Sequence, residues 1–427
     1  MALIRLCPHC RCHKATIACA IFTILMVLNM YVFLRPSVYT RLVPEVDNFC
    51  DPHLDHDVAA TGSGKKKTVQ HLVFLKVHKA ASTTVMNIII RFGLLRNLTF
   101  MTPRKMNTIS EHGAFLATDI LPPFQNGTYD ILCNHMIFNK TAISRFFPSD
   151  SKYIAILRDP FEQMVSAFMY YKFVYPKSYL LNIAGKNPIS TYLENPLKHE
   201  PQNPMFSFTF NRMSIDLGYN PKLLLNASVS QATDFIRQLE KDFDLVLIVD
   251  YFDESIVLLR RLLGWELKDI LYVSANSFKT KSFRFSPEDR LRHQRWAWLD
   301  NAIYSHFYKV LWLKIFKQGP AFFDEVHTFQ SVRRLVQTFC SQKLNGTDRL
   351  KVNKSNWNPE FEVTATDCSL MTMREIPMVD VVRLRHLKRL KDQGINYAIK
   401  TYSKISKSKR PSKGPSNKID SRNKNIS

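Results

Sequence analysis

Short apolar runs alternate with amphipathic stretches over residues 70–320. Runs at 71–76, 129–133, 152–157 and 244–250 have the length of buried strands, and Asp-Leu-Val-Leu-Ile-Val, starting at Asp244, is the least ambiguous. Apolar residues spaced three and four apart predict helices over 83–95, 160–172, 231–241, 252–263 and 288–316. That alternation predicts an α/β domain, a mainly parallel sheet with helices on both faces. A ligand of such a sheet lies beyond the C-terminal ends of the strands. Residues 320–400 read as a helical, partly irregular extension, and no internal repeat is present. Upstream, residues 15–34 form a 20-residue uncharged stretch between Lys14 and Arg35, long enough to span a bilayer. Arg5, Arg11 and Lys14 precede it, so the pattern reads as a signal anchor with a cytosolic tail at 1–14. The span is long for a cleaved signal peptide and lacks a small-x-small cleavage site. Residues 35–69 have no period and read as a stem; the folded domain is expected over 70–400 and a basic disordered tail over 401–427.

Charge sharpens the picture. The chain carries 59 Lys and Arg against 36 Asp and Glu, a net +23 that favours anionic partners. Eight of the basic residues lie in the tail from Lys404 to Ser427, opposed by Asp420 alone. No interleaved basic-aromatic face or known module supports a nucleic-acid partner. Seven Asn-x-Ser/Thr sequons, at Asn97, Asn126, Asn139, Asn226, Asn345, Asn353 and Asn425, suit a lumenal body. Cys7, Cys10, Cys12 and Cys19 lie in or before the anchor, where palmitoylation is favoured over a crowded zinc site. Cys50, Cys133, Cys340 and Cys368 remain for two disulfides in an oxidising compartment. Cys340–Cys368 closes a short loop; Cys50–Cys133 follows by elimination, with Cys133 as a free buried thiol the alternative.

The candidate chemistry sits after the first strand. Lys76, His78 and Lys79 form a cationic loop, and Ser82, Thr83 and Thr84 follow at the start of a helix. Strand, cationic loop and hydroxyl-lined helix N-terminus make an anion site. It is no Walker A motif: the nearest match, 59–66, has Ala59 for the first Gly and Lys66 for the final hydroxyl, and it precedes the strand. A second grip follows the third strand, where Arg158-Asp159-Pro160 starts a helix that carries Ser166. An Arg fork with a Ser two turns away suits one more phosphate.

Lys-x-x-x-Ser-Thr after a strand and Arg-Asp-Pro-x5-Ser after a later one resemble the two nucleotide signatures of sulfotransferases. Residues 74–83 (Phe-Leu-Lys-Val-His-Lys-Ala-Ala-Ser-Thr), Cys133-Asn134-His135-Met136, Asp216-Leu217-Gly218-Tyr219, and the block from Tyr251 through Trp265 to Tyr272 resemble galactose 3-O-sulfotransferases in particular. The resemblance runs from about His71 to about Trp312, with traces to Cys368; Val77 and Ala80 stand where the family has Thr. It implies a P-loop-like sulfotransferase fold. It also implies 3′-phosphoadenosine-5′-phosphosulfate as sulfate donor, held by Lys76, Lys79, Ala80, Ala81, Ser82, Thr83 and Thr84 at the 5′ end and by Arg158 and Ser166 at the 3′-phosphate. The implied acceptor is the 3-hydroxyl of a terminal β-galactose on a glycolipid or glycoprotein, and the implied setting is a single-pass type II protein of the Golgi membrane.

Sulfuryl transfer needs a base at the acceptor hydroxyl and a cation at the leaving oxygen. Lys79 is the expected cation. His135, following a strand, is the expected base, with His78 the rival, although Lys76 and Lys79 beside His78 would favour its neutral ring. Asp216, Tyr219, Trp296 and Trp298 are candidates for a sugar-lining role or for core, and Lys279, Lys281 and Arg284 for a loop over the 3′-phosphate. Ser82 is the candidate helix cap. No metal-ligand spacing occurs and no metal is required. Two other readings stay open: sulfation of another sugar hydroxyl, such as a uronic acid 2-OH, and a glycan-binding relative without catalysis. Homodimer formation is left open.

Overall fold

A computed structural model of the 427-residue chain describes residues 67–395 except 114, 125–126 and 275–282. The anchor, most of the stem, Cys50, Asn126, Lys279, Lys281 and the basic tail lie outside the described residues. No helix among the described residues is long and apolar enough to cross a membrane.

Four of the apolar runs become strands: β1 (Leu72–Phe74), β2 (Ile131–Leu132), β3 (Lys152–Leu157) and β4 (Leu245–Ile248). They form one parallel sheet in the order β2-β1-β3-β4. Nearly every strand residue is buried, as expected for a parallel sheet whose strands read as continuous apolar runs. From β1 the chain turns to one side for β2 and then crosses to the other for β3. The loops after β1 and β3 therefore flank the point where strand order reverses, where such sheets bind ligands.

The principal helices are α1 (Ser82–Leu95), α2 (Pro160–Met169), α3 (Arg212–Asp216), α4 (Val229–Asp242), α5 (Phe252–Leu263), α6 (Pro287–Trp296), α7 (Trp298–Phe316), α8 (Ala321–Cys340), α9 (Ala365–Met371) and α10 (Glu375–Asp392). α1 is apolar on most of its circumference and buried from Val85 to Gly93, a central position that α9 and α10 help to close. α5 and α7 pack on β4. Two expected helices are interrupted. The 288–316 pattern breaks at Ala297, whose ψ of 45° is not helical. α2 gives way at Met169 to a π-helical turn, Tyr170–Val174, of a kind often found at functional sites. The irregular part of 320–400 is an antiparallel hairpin, β5 (Arg349–Val352) with β6 (Phe361–Thr364). Beside it, the Cys340–Cys368 disulfide ties the end of α8 to α9. Cys133 is free and buried, and burial pushes its thiol up to about 12.

Candidate active site

The loop after β1 is held in an uncommon shape. Lys79 and Ala81 adopt left-handed backbone angles, φ 57° and 51°. For non-glycine residues this costs about 1–2 kcal/mol each, and such conformations cluster at ligand sites. Ala81 occupies the N-cap of α1 and no side chain caps that helix. Asp159, Ser228, Ser286 and Thr364 cap α2, α4, α6 and α9, whereas α3, α5, α7, α8 and α10 share with α1 the lack of a side-chain cap. What sets the open first turn of α1 apart is Lys79 beside it, a combination that suits an anion. Ser82 is not the cap: its Oγ donates to Val77 O at 2.6 Å and braces the loop from within.

Lys79 extends over the Tyr170 ring, 3.9 Å from its centroid, so the π-helical turn supplies its seat. Burial, then Lys76 and Arg158, lower its pKa to about 8. Arg158, at the C-terminal end of β3, donates to Lys79 O at 3.3 Å and ties the two candidate anion-binding segments together. Gln163 of α2 donates to His78 O at 3.1 Å. Ser166 lies on α2, two turns from Pro160.

The two histidines meet. His78 and His135 stack with centroids 4.0 Å apart and planes 16° from parallel. Their nitrogens have different partners. His135 Nδ1 donates to Lys76 O at 2.8 Å, and the Lys76 ammonium donates to His135 Nε2 at 2.8 Å. Both ring nitrogens are therefore committed to one residue, and burial, then His78 and Lys76, push the His135 pKa well below the usual value. The Nε2 lone pair that His135 would use as a base accepts from Lys76 in this structure. His78 has carboxylates where cationic neighbours were expected to dominate. Its Nδ1 lies 2.8 Å from Asp216 Oδ2, whose oxygen also accepts from the His78 backbone N–H, and its Nε2 lies 2.7 Å from Glu111 Oε1. Asp216 is buried and bonded to Arg212; against the cost of burial, Arg212 and His78 hold its carboxyl at about 2. A buried carboxylate on Nδ1 fixes the ring and sets Nε2 against Glu111, so a general base's lone pair is presented at Nε2 only when Glu111 has left it.

The other side chains singled out in the sequence take the following places. Asp216 is buried and bonds His78. Tyr219 is buried, edge-on to Phe235. Trp296 stacks on Phe210 and donates to Tyr192 Oη at 3.0 Å, and Trp298 packs against the core. Lys76 faces inward, 2% exposed, between His135 and Glu375. Thr83 Oγ1 donates to Glu375 Oε2 at 2.7 Å. Arg284 is exposed. Sequence reasoning missed Glu111, Arg212, Tyr170 and Glu375. Glu375 lies 292 residues from Thr83, and no spacing signal joins them. No group of three or more His, Cys, Asp or Glu among the described residues could hold a metal ion.

The sequence profile of the galactose-3-O-sulfotransferase family matches residues 9–364. Human galactosylceramide sulfotransferase is 31% identical over 362 residues, 81% of this chain and 83% of that protein. Human galactose-3-O-sulfotransferase 2 is 33% identical over 66% of this chain and 70% of its own length. Mouse galactose-3-O-sulfotransferase 3 is 34% identical over 58% of each.

Proposed function

Since the chain belongs to the galactose-3-O-sulfotransferase family, we propose that it moves sulfate from 3′-phosphoadenosine-5′-phosphosulfate to the 3-hydroxyl of a terminal β-galactose on a glycolipid or glycoprotein. Its class, carbohydrate sulfotransferase, follows from the family; donor, acceptor linkage and residue roles are our reading. The observation that carries it is the uncapped, cation-flanked start of α1 set beside an Asp216–His78 pair.

In this reading the uncapped turn, Lys79 and the loop backbone hold the 5′ end of the donor, with Thr83 and Thr84 at its edge. Arg158 and Ser166 take the 3′-phosphate. The acceptor oxygen attacks sulfur, and its proton passes to His78 Nε2. The sulfur–oxygen bond to the nucleotide breaks, releasing adenosine 3′,5′-bisphosphate. Lys79 meets the charge that develops on the leaving oxygen. Glu111, one-quarter exposed, gives way to the acceptor hydroxyl at Nε2. The setting is a type II Golgi membrane protein with a lumenal domain. The full chain, given radiolabelled donor with galactosylceramide, lactosylceramide, N-acetyllactosamine, the core 1 disaccharide and desulfated heparin, should label the galactose 3-hydroxyl. His78→Ala and Lys79→Ala should each abolish that label. Label confined to heparin would overturn the galactose reading. Nucleotide binding without label on any acceptor would count for a non-catalytic relative.

A further inference from the structure

The family match ends at residue 364, yet the site draws a carboxylate from beyond it. Glu375 opens α10 and reaches the start of α1. Its Oε2 lies 3.2 Å from Lys76 Nζ and accepts from Thr83 Oγ1, while its Oε1 accepts from Asn107 Nδ2. Among the described residues it is the one carboxylate in ion-pair contact with Lys76. Lys76 in turn holds both nitrogens of His135, whose ring stacks on His78. A chain of contacts thus runs from the C-terminal helix to the proposed base: Glu375, Lys76, His135, His78.

We propose that Glu375 is a positioning residue for sulfate transfer: its carboxylate anchors the Lys76 ammonium on His135 Nε2 and so keeps a neutral imidazole stacked against His78. The inference rests on the functional reading above. His78 gains positive charge as it takes the acceptor proton. A neutral ring at 4.0 Å does not oppose that charge, whereas a second imidazolium would. An ammonium donating to Nε2 excludes a proton from that nitrogen, so Lys76 sets the state of His135 and Glu375 sets the place of Lys76. Left buried without its counter-ion, Lys76 would turn away from His135.

Glu375→Gln isolates this role. Its Oε1 still accepts from Asn107, and its amide can donate to Thr83 Oγ1, so both neutral hydrogen bonds survive and only the ion pair is removed. The full-length variant should melt close to wild type and bind adenosine 3′,5′-bisphosphate as tightly or more tightly, since a carboxylate beside an anion site is gone. Its transfer rate at saturating donor and galactosyl acceptor should fall roughly tenfold or more. Glu375→Asp, which keeps the charge, should lie between Gln and wild type. A Gln rate within about twofold of wild type, or a loss matched by weaker nucleotide binding, would overturn the proposal. So would a Gln variant at least as active as Asp. Should Gln fail to fold, Glu375→Asn, which also removes the charge, is measured against Asp, and an Asn rate at least equal to that of Asp overturns it. Absence of transfer by the wild-type chain would instead sink the functional reading, and this inference with it.

Discussion

At the scale of single residues, the role proposed for Lys79 at the donor links binding to pH. Its lowered pKa, about 8, means that the nucleotide-free protein carries a buried charge cost below that pH. The cost is relieved as pH rises from there toward the unfolded value of an ordinary lysine. A bound phosphate raises the Lys79 pKa again, so binding takes up a proton wherever the free protein has lost it. Affinity for adenosine 3′,5′-bisphosphate is therefore full below about pH 8 and declines above it, by at most about tenfold per unit. Calorimetry at about pH 8.5 in buffers of different ionisation enthalpy should detect proton uptake that Lys79→Met abolishes. Equal uptake in the variant would place the titrating group elsewhere.

At the scale of elements, the turn after α3 shows how a local motif serves the site. Gly218 has φ +96°, and a Cβ there would stand 2.4 Å from Phe138 O. The same junction is closed by the Phe138 N–H donating to Asp216 O at 2.9 Å. Gly218→Ala is expected to cost about 2–4 kcal/mol through strain and overpacking together. It should also lower transfer activity more than nucleotide affinity, because Asp216 fixes His78. A thermal melt beside a rate measurement checks both, and a variant with wild-type melting would refute the clash. Elements with long apolar runs were legible in the sequence: β3, β4, α1 and α5 lie within a few residues of their expected bounds. The β5–β6 hairpin was not, because Arg-Leu-Lys-Val and Phe-Glu-Val-Thr are half polar and lie beside a longer helical signal. The break at Ala297 was hidden because Trp296 and Trp298 continue the apolar spacing across it. The residues of the loop after β1 could be singled out because they are contiguous. The contacts of His78 and His135 could not, because only the fold brings Asp216, Glu111 and Lys76 to them.

At the scale of the molecule, the C-terminal segment is integral to the domain. α10 packs along α1, with Met378, Val379, Val382 and Leu390 buried. Arg383 donates to the carbonyls of Pro103 and Met106, and Arg385 to Leu94 O at 2.8 Å. The Cys340–Cys368 bridge fixes the approach to this helix; a loop of 28 residues gives it roughly 3–4 kcal/mol in the chain-entropy account. A chain ending at Ile395 should melt and transfer sulfate like the full chain. One ending at residue 364, the limit of the family match, should expose the α1 face and yield aggregated, inactive protein. Size-exclusion chromatography with an activity assay separates the outcomes, and an active, monodisperse short form would refute the role given to α10.

The order β2-β1-β3-β4 has a consequence for how the protein is made. β1 is synthesised first, but one neighbour, β2, begins at Ile131 and the other, β3, at Lys152. At ribosomal speeds of about 5–20 residues per second, the chain from Phe74 to Lys152 takes roughly 4–16 s to appear. Through that interval Leu72, Val73 and Phe74 wait with at least one edge unpaired, beside the apolar α1 that must cover them. The strand that precedes the cationic loop thus stays exposed for seconds on the nascent chain, which suits it to a chaperone.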